Sequence, residues 1–330
     1  MSDASALLQT GGPARAVGRI LMRMRRNPII ALVLVLLLFV LGIELIRPGT
    51  VTPDWLSNSL LFAAPLGIIA AGQTLVLLTG GIDLSVASVA TGSAYLLATT
   101  AAAHGSVVAV LIGLGLGLLV GLINGIGVAL LRVQPLVMTL GTGLMTEGAM
   151  VVYSQKFLEV EPKIPAFIFA LGSSKLLGYV PFDLFLWAPL AALIILGLRR
   201  SGFGRLLYAV GDNRVACHLA GVRVWQVLLV DYALCGVLAA VAGLVIVGST
   251  NAADLSLANV YLLPSIAAVV IGGTSIVGGR GGYAGTIVGA IILTVLNSLL
   301  TLLDAPEPIK QVLYGAIILI LATAYTRLTG

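Results

Sequence analysis

Charge is what this chain most lacks. Asp, Glu, Lys and Arg make up 9% of its 330 residues, where a water-soluble domain carries about 25%. A surface so poor in charge excludes an ordinary soluble globule. Histidine is nearly absent as well. His104 and His218 are the only two, and no cysteine–histidine cluster has metal-ligand spacing, so no metal site is expected. Cys217 and Cys235 are too few for a disulfide framework, and their apolar settings favour free thiols. None of the four lysines follows a glycine, so the chain has no G-x-x-x-x-G-K-[ST] phosphate loop. It also has no H-E-x-x-H, no G-x-S-x-G and no evident nucleophile–base pair. These absences exclude a P-loop ATPase, a zinc peptidase and a serine hydrolase, and no catalytic residue is assigned. The net charge of +5 comes from dispersed arginines with no aromatic interleaving, which does not suit a nucleic-acid surface.

What the chain has instead is hydrophobic length. Apolar residues make up 59%, and runs of 18 or more recur, each long enough to cross a hydrocarbon core about 30 Å thick. The reading is an all-α integral membrane protein with about ten transmembrane helices. The expected spans are 29–46, 58–79, 84–103, 106–131, 134–153, 182–198, 225–249, 261–278, 283–303 and 310–326. The fifth contains Pro135, Thr139, Thr142 and Glu147, and the eighth contains Gly272, Gly273 and Thr274. Either is open to being broken or re-entrant, which is tolerated where protein or a cavity covers the backbone. Forty glycines suit the close helix packing of membrane bundles. Residues 1–27 carry Arg15, Arg19, Arg23, Arg25 and Arg26 and read as a cytoplasmic tail that can lie on anionic lipid. The remainder, 28–330, reads as one polytopic domain.

Basic residues set the orientation. With the N-terminus inside, thirteen of the eighteen Lys and Arg fall on the cytoplasmic side: the five in the tail, then Arg132, Arg199, Arg200, Arg205, Arg214, Arg223, Arg280 and Arg327. Arg47, Lys156, Lys163, Lys175 and Lys310 fall outside, the bias that the positive-inside rule requires. Both termini are then cytoplasmic. Residues 154–181 form the longest external loop and 199–224 the longest internal one.

Three segments stand out. In Thr79-Gly80-Gly81-Ile82-Asp83-Leu84-Ser85 two glycines close one span, and Asp83 is placed to cap the next by accepting N–H bonds from its first turn. The same turn reads as a joint between spans that move against each other, with Gln73 and Thr74 as polar contacts in the bundle or along a pathway. In the internal loop, Asp212 or Asn213 is a good N-cap and Gly221 a good C′ residue, so a helix of about two turns is expected between them. It is amphipathic through Val215, Ala216, Leu219 and Ala220. It is either a solvated loop on the membrane or a knob for a cytoplasmic partner. The third segment, Gly272 to Gly285, holds seven glycines in fourteen residues, including Gly272, Gly273, Gly278 and Gly279 around Thr274. Close packing and a sharp turn at Arg280 account for it better than a phosphate loop. Within the spans, Glu147 and Asp231 are costly in lipid and should face protein or water. Asn124 and Asn297 are either interhelical hydrogen-bonding groups or path-lining ones.

The run T-G-G-I-D-L-S, then Gly204-Arg205-x-x-Tyr208-Ala209-x-Gly211-x-Asn213, then I-A-A-V-V-I-G-G-T-S-x-x-G-G-R-G strongly resembles the permease subunits of bacterial ABC importers for ribose, xylose, galactose and related monosaccharides. Val133-Gln134-Pro135-Leu136-Val137-Met138-Thr139-Leu140-Gly141-Thr142 resembles the same family's P-F-I-x-T-L-G-T segment. The likeness runs from about residue 56 to the C-terminus and rests on motifs in the family's order.

The resemblance implies a type II ABC importer-like bundle in the bacterial inner membrane. It would have a second permease chain (a homodimer or a similar heterodimer), a periplasmic substrate-binding protein above, and ABC ATPase subunits below that use ATP and Mg. This chain itself would bind no cofactor. The 205–222 loop would match the coupling helix, giving Gly204, Arg205, Gly211, Asn213, Arg214, Ala216 and Gly221 as its contact with the ATPase. Gln73, Thr74, Asn124, Thr139, Thr142, Glu147 and Asn297 are the candidate path residues. Gly80, Gly81, Asp83, Gly272, Gly273, Thr274, Gly278 and Gly279 form the family's structural motifs. Two departures stand out. Arg214-Val215-Ala216 replaces a frequent E-A-A, and Leu262-Leu263-Pro264-Ser265 replaces a frequent E-L-D-A. The alternatives are an ABC permease for branched-chain amino acids or nucleosides, and an ion-coupled secondary transporter using Glu147, Asp231 or Asp83. A membrane enzyme lacks the clustered acids or histidines it would need.

Overall fold

A computed structural model of the chain describes residues 28–156 and 163–329. The arginine-rich tail and the acids Glu159 and Glu161 of the external loop lie outside the described residues. The fold is helical, with one short antiparallel hairpin, β1 (Lys175–Leu176) on β2 (Val180–Pro181).

In chain order the helices are α1 (Pro28–Ile46), α2 (Pro53–Leu78), α3 (Val86–His104), α4 (Ser106–Ala129), α5 (Pro135–Lys156), α6 (Ala166–Ser173), α7 (Asp183–Arg200), α8 (Gly202–Asp212), α9 (Arg214–Leu219), α10 (Val224–Thr250), α11 (Leu262–Ile271), α12 (Tyr283–Leu302) and α13 (Glu307–Thr329). Among the described residues seven are long and apolar enough to cross a membrane, or eight if α7 and α8, bent by 69°, are counted as one span. The expected count of ten is not matched by that measure, and the reasons are local. Asp183, Arg199 and Arg200 put charge at both ends of α7, and the count covers the described side chains alone, which leave out part of α13. The eighth expected span, 261–278, is not one helix. It is a single 3₁₀ turn, Asn259–Tyr261, followed by α11, whose ten residues rise only about 15 Å. A glycine-rich loop then returns the chain to α12.

The core is built on α2 and α10, whose buried faces include Ile68, Ile69, Val76, Tyr232, Cys235 and Ile246. Helices in lipid gain nothing from burying apolar surface against each other, so close van der Waals packing holds them. In α4, glycines recur every fourth residue and let α10 approach to backbone contact. A β-carbon on Gly117 would strike the Gly236 carbonyl, one on Gly121 the Tyr232 carbonyl, and one on Gly125 the Leu229 backbone. A buried relay ties α7, α12 and α2 together: the Trp187 indole N–H donates to the Tyr283 hydroxyl (2.7 Å), which donates to the Gly67 carbonyl (2.8 Å).

The connections sort onto two ends. At one end the α2–α3 turn, the α7–α10 segment and the 272–282 loop meet. Gly279 N–H donates to the Leu78 carbonyl at 2.9 Å, and Ile29 of α1 lines a cavity with Arg199, Tyr208 and Gly281. Arg132, Arg199, Arg200, Arg205, Arg214, Arg223 and Arg280 belong to these connections or to the helix ends beside them, so this is called the basic end. The opposite end carries the 47–52 connection, α6 and the hairpin, where Lys175 Nζ donates to Asn58 Oδ1 (2.8 Å).

Candidate functional site

The basic end is built around three tight turns pressed together. Gly80 (φ +75°) closes α2, and a β-carbon there would sit 2.9 Å from the Val277 carbonyl. Gly211, in the last turn of α8, lies against the Leu78 carbonyl with no room for a β-carbon. Gly278 and Gly279 also have positive φ, and they pack on the backbone of Gly211 and Asp212. Gly272 ends α11 and Gly273 has positive φ, while buried Thr274 accepts the Gly282 N–H at 3.2 Å. The glycine motifs of the sequence therefore converge on one junction.

The short helix α9 hangs from that junction. Its limits are those the cap residues predict. Asn213 is the N-cap, its Oδ1 accepting the Ala216 N–H (2.9 Å), and Gly221 (φ +80°) follows the C-cap, its N–H returning to the His218 carbonyl and that of Val222 to the Cys217 carbonyl. Cys217 points inward and is a free thiol. Val215 and Leu219, four residues apart, are 69% and 83% exposed and form an apolar knob. Gly204 sits so close to the Gly197 and Leu198 carbonyls that the α7–α8 bend admits no side chain there. The helix α8, which the sequence reading takes as loop, buries Leu207 and Val210 and leaves Arg205 exposed. Its Tyr208 hydroxyl donates to the Gly281 carbonyl (3.0 Å). Burial pushes the Tyr208 phenol up, with Arg199 pulling it partly back.

Arg214 does not face outward from the knob. Its Nη2 donates to the Thr79 carbonyl at 2.7 Å. Thr79 Oγ1 in turn donates to Asp231 Oδ2 at 2.9 Å. Asp231 is fully buried in α10, its Oδ1 has no hydrogen-bond partner among the described residues, and the positive charge of Arg214 acts on it. A loop cation, the α2–α3 turn and a buried acid in the central helix are thus joined in one line.

Above that line lies a second buried network. Gln73 bonds both ways to the Asp83 backbone, Nε2 to O at 2.5 Å and Oε1 from N at 3.3 Å. Asp83 Oδ1 accepts the Ser85 N–H (2.8 Å) and hydroxyl (2.6 Å). It therefore shapes the turn ahead of α3, whereas the sequence reading has it accept from that helix's first turn. Asn124 Nδ2 donates to Ser85 Oγ (2.9 Å), its Oδ1 accepts from Thr142 (2.6 Å), and Thr139 Oγ1 accepts the Leu84 N–H (3.0 Å). Thr74 Oγ1 sits 2.9 Å from Thr286 Oγ1. Five of the seven candidate path residues (Gln73, Thr74, Asn124, Thr139 and Thr142) are thus buried and engaged with protein in this conformation.

The other two lie elsewhere. Glu147 is exposed on the outer face of α5, near its middle. Asn297 is exposed at the opposite end, in a cavity of about 450 Å³ with Trp55, Asn58 and Ser298. Asn124 and Asn297 thus occupy unlike surroundings, one buried in the polar network and the other lining a cavity. Sequence reasoning missed Thr79, Ser85 and Tyr208. The polar turn of Thr79 to Ser85 is a signal for the first two, and the motif Gly204-Arg205-x-x-Tyr208 for the third.

These features define a polytopic membrane protein whose helices close over a polar junction and present a short apolar helix at one end. Residues 55–322 match the family described as branched-chain amino acid transport system / permease component, and the chain belongs to that family. It is similar to the ribose import permease protein RbsC of Escherichia coli (strain K12), at 34% identity over 86% of this chain and 89% of that one. It is 37% identical to the galactofuranose transporter permease protein YtfT of the same strain over 78% of this chain and 75% of the relative. It is 34% identical to the fructose import permease protein FrcC of Rhizobium meliloti, over 89% and 82% of the two chains. No solved structure matches it.

Proposed function

We propose that this chain is the membrane-spanning subunit of an ATP-driven importer that passes a monosaccharide across the bacterial inner membrane. The basic end faces the cytoplasm, where positive charge is retained, and both termini lie on that side. ABC ATPase subunits, using ATP and Mg, dock there on α9. A substrate-binding protein delivers the sugar at the opposite end, and a second permease chain completes the path between them. The names of the relatives support a sugar as cargo, and the chain has no phosphate loop with which to hydrolyse ATP alone.

The observation that carries this reading is the joining of α9 to the core. Val215 and Leu219 face outward for a partner, while Arg214 reaches inward to Thr79 and so to Asp231. A push on α9 is delivered to the α2–α3 turn and to α10, whose buried residues run from Val227 to Gly248. Alternating access then needs only that the ATPase pair move the two α9 helices between discrete positions.

The test is a mild-detergent purification of the chain from its native membrane, with mass spectrometry of what accompanies it, repeated with Gly221→Trp. No side chain lies within reach of Gly221, but its φ of +80° disfavours any residue with a β-carbon. A co-purifying P-loop ATPase that is weakened in the variant supports both the importer and the role of α9. An ATPase held equally by both forms moves the contact elsewhere. Its absence in every mild detergent, with uptake following an ion gradient, overturns the importer.

A further inference from the structure

The basic end holds a groove of about 910 Å³ beside α9, where α4 and α10 part company. Glycine contacts hold the two helices together as far as Gly125 against Leu229. Beyond that point the last turn of α4, the 130–134 connection and the first turn of α10 stand apart, with Val128, Leu130, Val133 and Leu228 lining the gap. Its mouth carries Arg132, His218, Arg223 and Trp225, and among the described residues no acid lines it.

Arg132 and Arg223 are exposed and make no ion pair or side-chain hydrogen bond among the described residues, where Lys310–Glu307 is the one salt bridge. Arg214 also lines the groove, but its guanidinium is already committed to Thr79. Arg132 has φ +56°, a region costing a residue with a β-carbon about 1–2 kcal/mol. The turn is held in that form by Leu131 N–H on the Ile126 carbonyl and Val133 N–H on the Gly127 carbonyl.

We propose that this groove is a binding site for one anionic phospholipid, its phosphate held by Arg132 and Arg223 and its upper acyl chains lying on the apolar floor. Basic pockets between transmembrane helices suit anionic headgroups, because phosphate accepts several N–H donors and the chains never leave the bilayer. The apolar floor decides against a free anion. It continues outward onto exposed Leu130, Leu131 and Leu136 at the facing ends of α4 and α5. Trp225, 42% exposed at the mouth, occupies the interfacial level that indole rings prefer. An acidic protein segment would match the arginines but leave that floor unused. Such a lipid would wedge the α4–α10 gap next to α9, so its occupancy would bias how the knob sits. The site does not depend on which solute is carried.

The test is native mass spectrometry of the full chain with phosphatidylglycerol, cardiolipin and phosphatidylcholine, on the wild type, Arg132→Ala/Arg223→Ala, and Arg132→Lys/Arg223→Lys. The expected result is preferential retention of the two anionic lipids by the wild type. Each lost arginine should weaken that retention about fivefold, and the lysine pair should keep most of it. Equal retention of phosphatidylcholine, or undiminished anionic lipid on the alanine pair, overturns the proposal. So does complete displacement of the lipid by the ATPase partner with Arg132→Cys cross-linking to it, which would make the groove a protein interface.

Discussion

Arg214 stands where permeases of the sugar-importer type often carry the glutamate of an E-A-A triplet, and its geometry accounts for the exchange. A glutamate could not donate to the Thr79 carbonyl, and it would bring a second negative charge toward Asp231. The guanidinium does the reverse on both counts. Replacing Arg214 with Ala should therefore leave the ATPase bound and active but disconnect it. Uptake per ATP in proteoliposomes should fall by about tenfold or more, the equivalent of one charge-assisted hydrogen bond of about 1.5 kcal/mol. An unchanged ratio would assign the arginine to folding alone. Asn124 plays a different part. Its amide joins Ser85 to Thr142, and so adds a second tie between the α2–α3 turn and α5 to the one Thr139 makes with Leu84. Asn124→Leu removes the bond between them and leaves the Ser85 hydroxyl to Asp83 and the Thr142 hydroxyl to the Thr139 carbonyl, and thermal unfolding in detergent should show a loss of about 1–3 kcal/mol.

At the scale of elements, α4 tests how glycine spacing builds the bundle. Gly117, Gly121 and Gly125 face α10 at backbone distance, whereas Gly115 has open space beside it. Gly121→Leu should abolish assembly of the folded chain, while Gly115→Leu should leave the melting temperature nearly unchanged. Comparable losses from both would mean that helix propensity, not packing, sets the effect. The limits of α9 were readable in the sequence because Asn213 and Gly221 are local signals, each tied to a backbone conformation. The helix α8 was not. Its pattern of Leu207 and Val210 is too short to tell from an apolar loop without the glycine bend that turns it against α7. The broken eighth span was marked as a possibility by its glycines. The chain enters it through a contact distant in sequence, the Ala258 N–H donating to Thr91 Oγ1 at 3.0 Å.

For the whole molecule, the exposed face of α5 sets the expectation. Glu147 sits near the middle of a helix long enough to cross the membrane, with Leu144 and Met145 exposed beside it. A carboxylate facing acyl chains at that depth costs about 2.5–3.5 kcal/mol. A water-filled path or a second permease chain over this face removes that cost. Glu147→Cys should form a disulfide or a short cross-link between two copies in native membranes, and the yield should drop when the ATPase is trapped in its ATP-bound state. A chain that stays monomeric under cross-linking would put α5 against lipid and overturn the paired arrangement.

The sequence by itself determined the class of solvent, the helical architecture and the placing of the basic connections. Those follow from composition, run length and charge bias, which act residue by residue along the chain. It also marked the glycine turns, because positive φ and close approach are demands on single positions. Only the tertiary structure decided that Gln73, Asp83, Asn124 and Thr142 complete one another and that Arg214 turns inward to Thr79. It alone opened a basic groove beyond Gly125. Those features are meetings between residues up to about 150 positions apart (Thr79 and Asp231), and a hydrogen bond depends on where the backbone has been carried, which no local pattern encodes.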